Sequence, residues 1–284
     1  MILRKEEIAG MLVLAAIVLG LISPIVAVFA AKPIEIPKTI FGFPFARELK
    51  YVTSKSFNVT EEFKLVLDVS GGGAEVAKSH VENEVKVEIY EYSGFFRFFR
   101  RPARKEYSIE FANNTLHVVI INYVAKIYVP QELLEEISSI ISGGGLSVNI
   151  NAENMKLCNV KVSGGGVELS LGNLRNSTLD IEISGGGFSA NLNYSDYVGK
   201  AEINVNINGG GGELKVENIN AKVKVDASIS GGGGTVKIND VKIISIGGAS
   251  ETKTYVDEGF DEAAKKLIVN INVSGGGFDV GIRR

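Results

Sequence analysis

The sequence predicts an all-β chain, a parallel β-solenoid preceded by a less regular β region and by an N-terminal transmembrane helix. Three observations predict it. Glycine triplets or quartets begin at Gly71, Gly143, Gly164, Gly185, Gly209, Gly231 and Gly275, so the steps from Gly143 onward are 21, 21, 24, 22 and 44 residues, the last reading as two steps of 22. Between clusters the apolar residues alternate with period two, as in strands with one buried face. A long uncharged run opens the chain. A period just above twenty residues that carries the same punctuation each time marks stacked repeats.

The run from Ile8 to Ala31 follows Arg4-Lys5-Glu6-Glu7, and its 24 residues would span about 36 Å as a helix against a hydrocarbon core of about 30 Å. Residues 1–31 therefore read as a membrane anchor. The competing reading is a cleaved signal peptide, because Ser23-Pro24 breaks the run and Val28-Phe29-Ala30 resembles a cleavage site. Arg4 and Lys5 are opposed by Lys32 and Lys38, which leaves orientation undecided by charge. Five N-x-S/T sequons, at Asn58, Asn113, Asn176, Asn193 and Asn272, all lie downstream and fit glycosylation outside the cell. The expected location is the cell membrane, single-pass with the bulk extracytoplasmic, or secretion if the segment is cleaved.

Residues 32–45 form a linker, and residues 46–141 read as irregularly spaced strands at 63–69, 85–92, 107–111, 116–121 and 125–129. Between two of them Phe95, Phe96, Phe98 and Phe99 interleave with Arg97, Arg100, Arg101, Arg104 and Lys105. Such a stretch is a hairpin tip whose rings fold back on the sheet, or a patch that docks on anionic lipid or an acidic polymer.

From 142 to 284 the repeat is regular. Val167, Leu169 and Leu171 point one way, Asn173–Ser177 turn, and Leu179, Ile181 and Ile183 resume, with Glu168, Ser170, Asp180 and Glu182 on the opposite face. One repeat offers about six inward aliphatics at about 1.5–3 kcal/mol each when buried, while ordering about 21 residues costs at least about 1 kcal/mol each. A lone repeat does not fold, and stacking is the remedy. A bend that recurs above itself leaves little room for side chains, so the glycines beginning at Gly71, Gly143, Gly164, Gly185, Gly209, Gly231 and Gly275 are structural bends. Ser70, Ser142, Ser163, Ser184, Ser230 and Ser274 form a column beside them. Residues 249–267 interrupt the repeat with a loop and a short helix expected near 261–266. The alternative fold is an antiparallel meander or sandwich with the glycines at hairpin turns.

Chemistry finds little footing in this pattern. No glycine cluster is followed by the lysine and hydroxyl of a phosphate loop, strands rather than a helix follow the glycines, against a dinucleotide site, and calcium-binding nonapeptides need a recurring aspartate. Asp257, Glu258, Asp261 and Glu262 could be imagined as an acid pair or cation site, but a solvated loop explains them. His80 and His117, the two histidines, sit in no motif, and the single cysteine, Cys158, shares the apolar face with Val160 and Val162. A net charge of −3 argues against nucleic acid as a partner. No catalytic residue, metal or cofactor is expected.

The pieces Ala125-Lys-Ile-Tyr-Val-Pro130, Ser142-Gly-Gly-Gly145 and the later Ser-Gly-Gly steps resemble the prokaryotic "putative adhesin" family, a domain of unknown function with β-strand repeats punctuated by Ser-Gly-Gly or Ser-Gly-Asp. The resemblance covers residues 55–284 and implies a right-handed β-solenoid-like fold at the cell envelope, with no catalytic residues to carry over. This chain departs from the pattern in its third glycine, in its basic-aromatic insertion and in its late loop. The expected function is non-enzymatic display of a rigid surface for adhesion, envelope structure or binding of a surface polymer or envelope protein. A signalling accessory and a polysaccharide-acting β-helix enzyme are the alternatives.

Overall fold

The computed structural model describes residues 48–93, 104–194, 199–248 and 250–284, all within a unit running from Pro44 to Arg284. The expected anchor, the linker and Phe95–Ala103 lie outside the described residues. Among the described residues no helix is long and apolar enough to cross a membrane.

The strands follow in chain order. The first part holds β1 (Glu48–Asn58), β2 (Phe63–Ser70), β3 (Gly73–Lys78), β4 (Glu84–Ser93), β5 (Glu106–Ala112), β6 (Thr115–Ile121) and β7 (Val124–Val129). After one 3-10 turn at Gln131–Leu133 come β8 (Leu134–Ser142), β9 (Gly144–Asn151), β10 (Leu157–Val162), β11 (Gly165–Gly172), β12 (Thr178–Ile183) and β13 (Gly187–Asn193). The last part holds β14 (Lys200–Ile207), β15 (Gly211–Glu217), β16 (Lys222–Ile229), β17 (Gly232–Ile238), β18 (Val241–Gly248), β19 (Glu251–Val256), β20 (Lys266–Val273) and β21 (Gly277–Ile282).

These strands build two facing sheets, one of 11 strands in the order β1-β4-β7-β3-β9-β11-β13-β15-β21-β17-β18 and one of 10 in the order β19-β16-β20-β14-β12-β10-β8-β2-β6-β5. Each turn of the coil places one strand in each sheet. The strands flanking Gly164–Gly166 do not pair with each other: Cys158 aligns with Leu179 and Val167 with Phe188, both in parallel register. The fold is thus the parallel two-sheet coil, and antiparallel pairing is confined to its ends, where β1, β4 and β5 close one side and β18 and β19 the other. The anticipated boundary at 141/142 falls at the corner between β8 and β9, inside this continuous stack.

Alternation puts one face of the strands inside, save the capping strands β1 and β19, none of whose described side chains is buried. Leu179, Ile181 and Ile183 of β12 are buried, as are Val167, Leu169 and Leu171 of β11, and they belong to one core that runs from Val59 to Ile282. Cys158 lies in it, fully buried, and burial, followed by the nearby Asp180 charge, pushes its thiol up to about 12. Ser139 is the exception on this face. It is 1% exposed between aliphatic neighbours, and among the described residues its Oγ has no hydrogen-bond partner.

The glycine corner has two distinct requirements. At the first glycine of the corners from Gly143 to Gly231 there is open space, but the backbone is left-handed, as at Gly164 with φ 93°. Its amide donates to Gly185 O at 3.0 Å while its carbonyl accepts from Gly143 N at 3.0 Å. At the second glycine space runs out: a Cβ on Gly72, Gly144, Gly165, Gly186, Gly210, Gly232 or Gly276 would lie 1.9–2.4 Å from a backbone oxygen of the next rung. Only hydrogen fits there. Because every such Cβ points the same way along the stack, the column can end in a residue with a side chain. It ends in Tyr123, in the outermost parallel rung, β6/β7, whose ring meets Tyr107 edge-on at 5.3 Å.

The stack does not follow chain order. Its sequence of rungs is β6/β7, β2/β3, β8/β9, β10/β11, β12/β13, β14/β15, β20/β21, β16/β17. The 44-residue interval before Gly275 therefore does not hold two successive rungs. It holds the capping strands β18 and β19, after which the chain returns and inserts β20/β21 one place in from the end. The stretch expected to be a helix, 261–266, forms turns leading into β20. Ile282-Arg283-Arg284 leaves an interior rung, not an end of the stack. There Arg283 pairs with Asp240 at 3.2 Å and Arg284 pairs with Asp257.

Candidate functional site

Outward side chains at equivalent positions stack into rows, because parallel in-register strands repeat about every 4.8 Å. On the 10-stranded sheet one row runs Ser138, Asn159, Asp180, Asn204, Asn270, Asp226, Thr254. Asn270 Nδ2 donates to Asn204 Oδ1 at 2.7 Å, and Asn204 Nδ2 donates to Asp180 Oδ1 at 2.8 Å. Thr254 Oγ1 donates to Asp226 at 2.7 Å. Burial pushes the Asp226 carboxyl up, but hydrogen bonds from Thr254 and Lys224 outweigh this and hold it below the usual carboxylate range. The next row includes Lys161, Glu182, Asn206 and Asn272, in which Asn272 Nδ2 donates to Asn206 Oδ1 at 3.0 Å. These rows are largely self-satisfied.

The other sheet differs. Asn149, Ser170, Asn191 and Lys215 form one outward row, and Asn151, Gly172, Asn193 and Glu217 form the next. Gly172 contributes no side chain between Asn151 and Asn193. The result is a shallow polar depression of about 190 Å³ lined by Asn149, Asn151, Ser170, Asn191, Asn193 and Glu217. A Cβ at Gly172 would meet Asn151 Oδ1 at 2.5 Å, so even a methyl group would intrude on this floor. Carboxamides and a hydroxyl can both donate and accept, which suits a ligand rich in hydroxyl or amide groups. Glu217 is the single carboxylate among the lining residues.

The residues singled out from sequence are dispersed. Of the basic-aromatic stretch, Arg104 pairs with Glu106 and Lys105 pairs with Glu91 at 3.1 Å, with its ammonium 5.6 Å from the Tyr123 ring centre. Phe95, Phe96, Arg97, Phe98, Phe99, Arg100 and Arg101 lie outside the described residues. Asn58, Asn113, Asn176 and Asn272 are exposed and Asn193 is half-buried, while the serine of the Asn193 sequon lies outside the described residues.

The four acids of the late loop do not converge. Glu258, Asp261 and Glu262 are exposed, whereas Asp257 is buried and accepts from Val223 N at 2.7 Å, from Tyr255 OH at 2.8 Å and from Arg284. Burial alone would raise its carboxyl, yet the bonds from Arg284, Val223 and Tyr255 hold it below the usual range. Asp257 is a structural clamp, fixing the loop to the start of β16 and to the end of β21. Sequence reasoning missed it because Val223 reaches it through the antiparallel pairing of β16 with β19 and Arg284 through the inserted rung, neither of which is local in the chain. Among the described residues no group of three His, Cys, Asp or Glu could hold a metal ion.

No family model matches the sequence, and no curated protein does. Among solved structures, a "putative cell adhesion protein" from Clostridium sporogenes ATCC 15579 is similar at a TM-score of 0.47 and 17% identity, over 82% of this chain and 100% of that one. A "putative adhesin" from Bacteroides fragilis NCTC 9343 is similar at 0.35 and 13%, over 82% and 97%. A "putative lipid binding protein" from Parabacteroides distasonis ATCC 8503 is similar at 0.29 and 11%, over 80% and 96%. At such scores and identities nothing of their function carries over to this chain.

Proposed function

We propose that this chain is a non-enzymatic, membrane-anchored extracytoplasmic β-solenoid that displays a rigid surface for adhesion, envelope structure or partner binding, and that the ligand of its outward face is a polymer bearing hydroxyl and amide groups. The observation that carries the reading is the in-register row of polar side chains around Gly172, held on strands whose opposite faces are buried. Rigid rows let individually weak hydrogen bonds add along an extended ligand, because the surface needs no ordering on binding. The run Ile8–Ala31 supports the anchor, and the downstream sequons support the outside location.

The test is retention of the protein on immobilised envelope polysaccharides and glycans. The Asn149→Leu/Asn191→Leu double variant should lose at least about five-fold of the binding, since each removed amide hydrogen bond contributes about 0.5–1.5 kcal/mol. A variant on the other sheet, Asn159→Leu, should bind like the parent. Equal binding by all three proteins, or none by the parent, would remove the reading.

A further inference from the structure

The two rungs placed out of chain order share a property: each separates neighbours that already match. Leu267 of the inserted strand β20 pairs on one side with Ala201 and on the other with Val223, which are 22 positions apart in the chain. Gly277 of β21 likewise pairs with Gly211 and Gly233, again 22 apart. The other end repeats the arrangement, since Leu65 of β2 pairs with both Leu116 and Ile137, 21 apart. These separations are one period of the coil.

We propose that β20/β21 is a displaceable rung and that, when it leaves, β16/β17 closes directly onto β14/β15 in the same register. The closed corner would bring together Gly210 and Gly232, both glycine, in the place where Gly210 now meets Gly276. Inward it would stack Ile203, Val205 and Ile207 on Val225, Ala227 and Ile229, all buried aliphatics in the open arrangement as well. Outward it would set Glu202 beside Lys224 and Asn204 beside Asp226, with Lys200 beside Lys222 and Lys215 beside Lys237 as unfavourable pairings.

The capping strands need not move. β19 pairs with β16 on the side away from β20, and β18 pairs with β17 on the side away from β21. Beyond the strand ladders and its buried apolar face, the inserted rung is held by Arg284 on Asp257, Arg283 on Asp240, Arg284 N on Asn239, Thr235 on Asp279, and Asn270 and Asn272 on Asn204 and Asn206, all of them bonds that closing must break. The solenoid thus has two lengths that differ by one rung, and the expelled rung exposes two strands with free edges.

A cysteine trap reads the closed state. Glu213 and Thr235 both align with Asp279, on either side of it, so in the inserted state they stand about 9.6 Å apart, two strand spacings. A disulfide needs Cα atoms within about 4.4–6.8 Å, which only the closed state provides. The full chain carrying Glu213→Cys and Thr235→Cys is compared with the same chain also carrying Gly276→Val, whose side chain cannot fit against the Gly210 carbonyl. The expected result is at least ten-fold more intramolecular disulfide in the Gly276→Val background, with amide exchange protection lost over 266–282 and kept over 200–238. Three outcomes overturn the proposal: no disulfide with 200–238 still protected, loss of protection over both segments together, or global unfolding of the valine variant, because a slot that closes leaves the rest of the stack intact.

Discussion

The three glycines of one corner should respond to alanine in a fixed order that composition alone would never suggest. At Gly166 the backbone is not left-handed and the nearest atom to an added Cβ is Gly187 O at 3.9 Å. Gly166→Ala should therefore be neutral or stabilise by about 0.4–1 kcal/mol through the unfolded chain. At Gly164 a Cβ meets nothing within 4 Å, so Gly164→Ala carries only the left-handed penalty of about 1–2 kcal/mol. Gly165 combines a φ of 111° with a Cβ only 2.0 Å from Gly144 O. Relieving that overlap parts two rungs by about 1 Å and weakens the flanking amide bonds, each contributing about 1 kcal/mol. With the backbone strain of about 1–3 kcal/mol, Gly165→Ala should lose about 3–5 kcal/mol. Urea unfolding followed by circular dichroism gives the order, and amide exchange over 143–187 localises the damage, which matters because stacked repeats depart from two-state behaviour. Equal loss at Gly165 and Gly166, or a Gly165 variant within about 0.5 kcal/mol of the parent, would refute the steric account of the corner.

Three further outcomes follow from buried groups. Ser139→Ala removes a buried hydroxyl without a partner and should stabilise by about 1 kcal/mol, read as a higher urea midpoint; a lower midpoint would mean that the hydroxyl is bonded. Asp257→Asn should destabilise by about 1.5–3 kcal/mol at neutral pH, the range for hydrogen bonds to a charged group. The Asp257 carboxyl lies below its ordinary value in the folded chain, so its contribution is complete above the unfolded value of about 3.9 and fades as pH falls through the folded one. The gap between parent and variant should accordingly shrink below about pH 4, and a gap that widened in acid would contradict the clamp. Cys158, with its thiol raised to about 12 by burial, should resist alkylation at pH 8 until urea opens the core; prompt labelling of the folded protein would show that its strand is not sealed.

Much of this architecture is legible in the sequence for a simple reason. Alternation and glycine spacing are local signals repeated by translation, so Val167, Leu169 and Leu171 announce an inward face and Gly164–Gly166 a corner without reference to anything distant. The outward placement of Ser170 follows from the same parity. The depression around Gly172 does not, since it depends on Asn151 and Asn193 lying on either side in neighbouring rungs. Tyr123 was equally opaque: a bulky residue at a glycine position makes sense only once it is known to end the column.

By itself, then, the sequence determined most of the strands, though not β1 or β19, the latter falling within the 249–267 stretch read as a loop, together with the buried faces, the bends and the period. Which rung lies on which, the tertiary structure alone decided. Offsets near 22, 44 and 66 residues are all multiples of one period, so Ala201 accepts Val223 or Leu267 with equal register, and no local pattern distinguishes them. The choice falls to capping and chain return: β18 and β19 must cover the open end of the core, and the segment that comes back from them reaches the stack one rung in. There Arg284 meets Asp257 across a fold that neither residue's neighbours foretell.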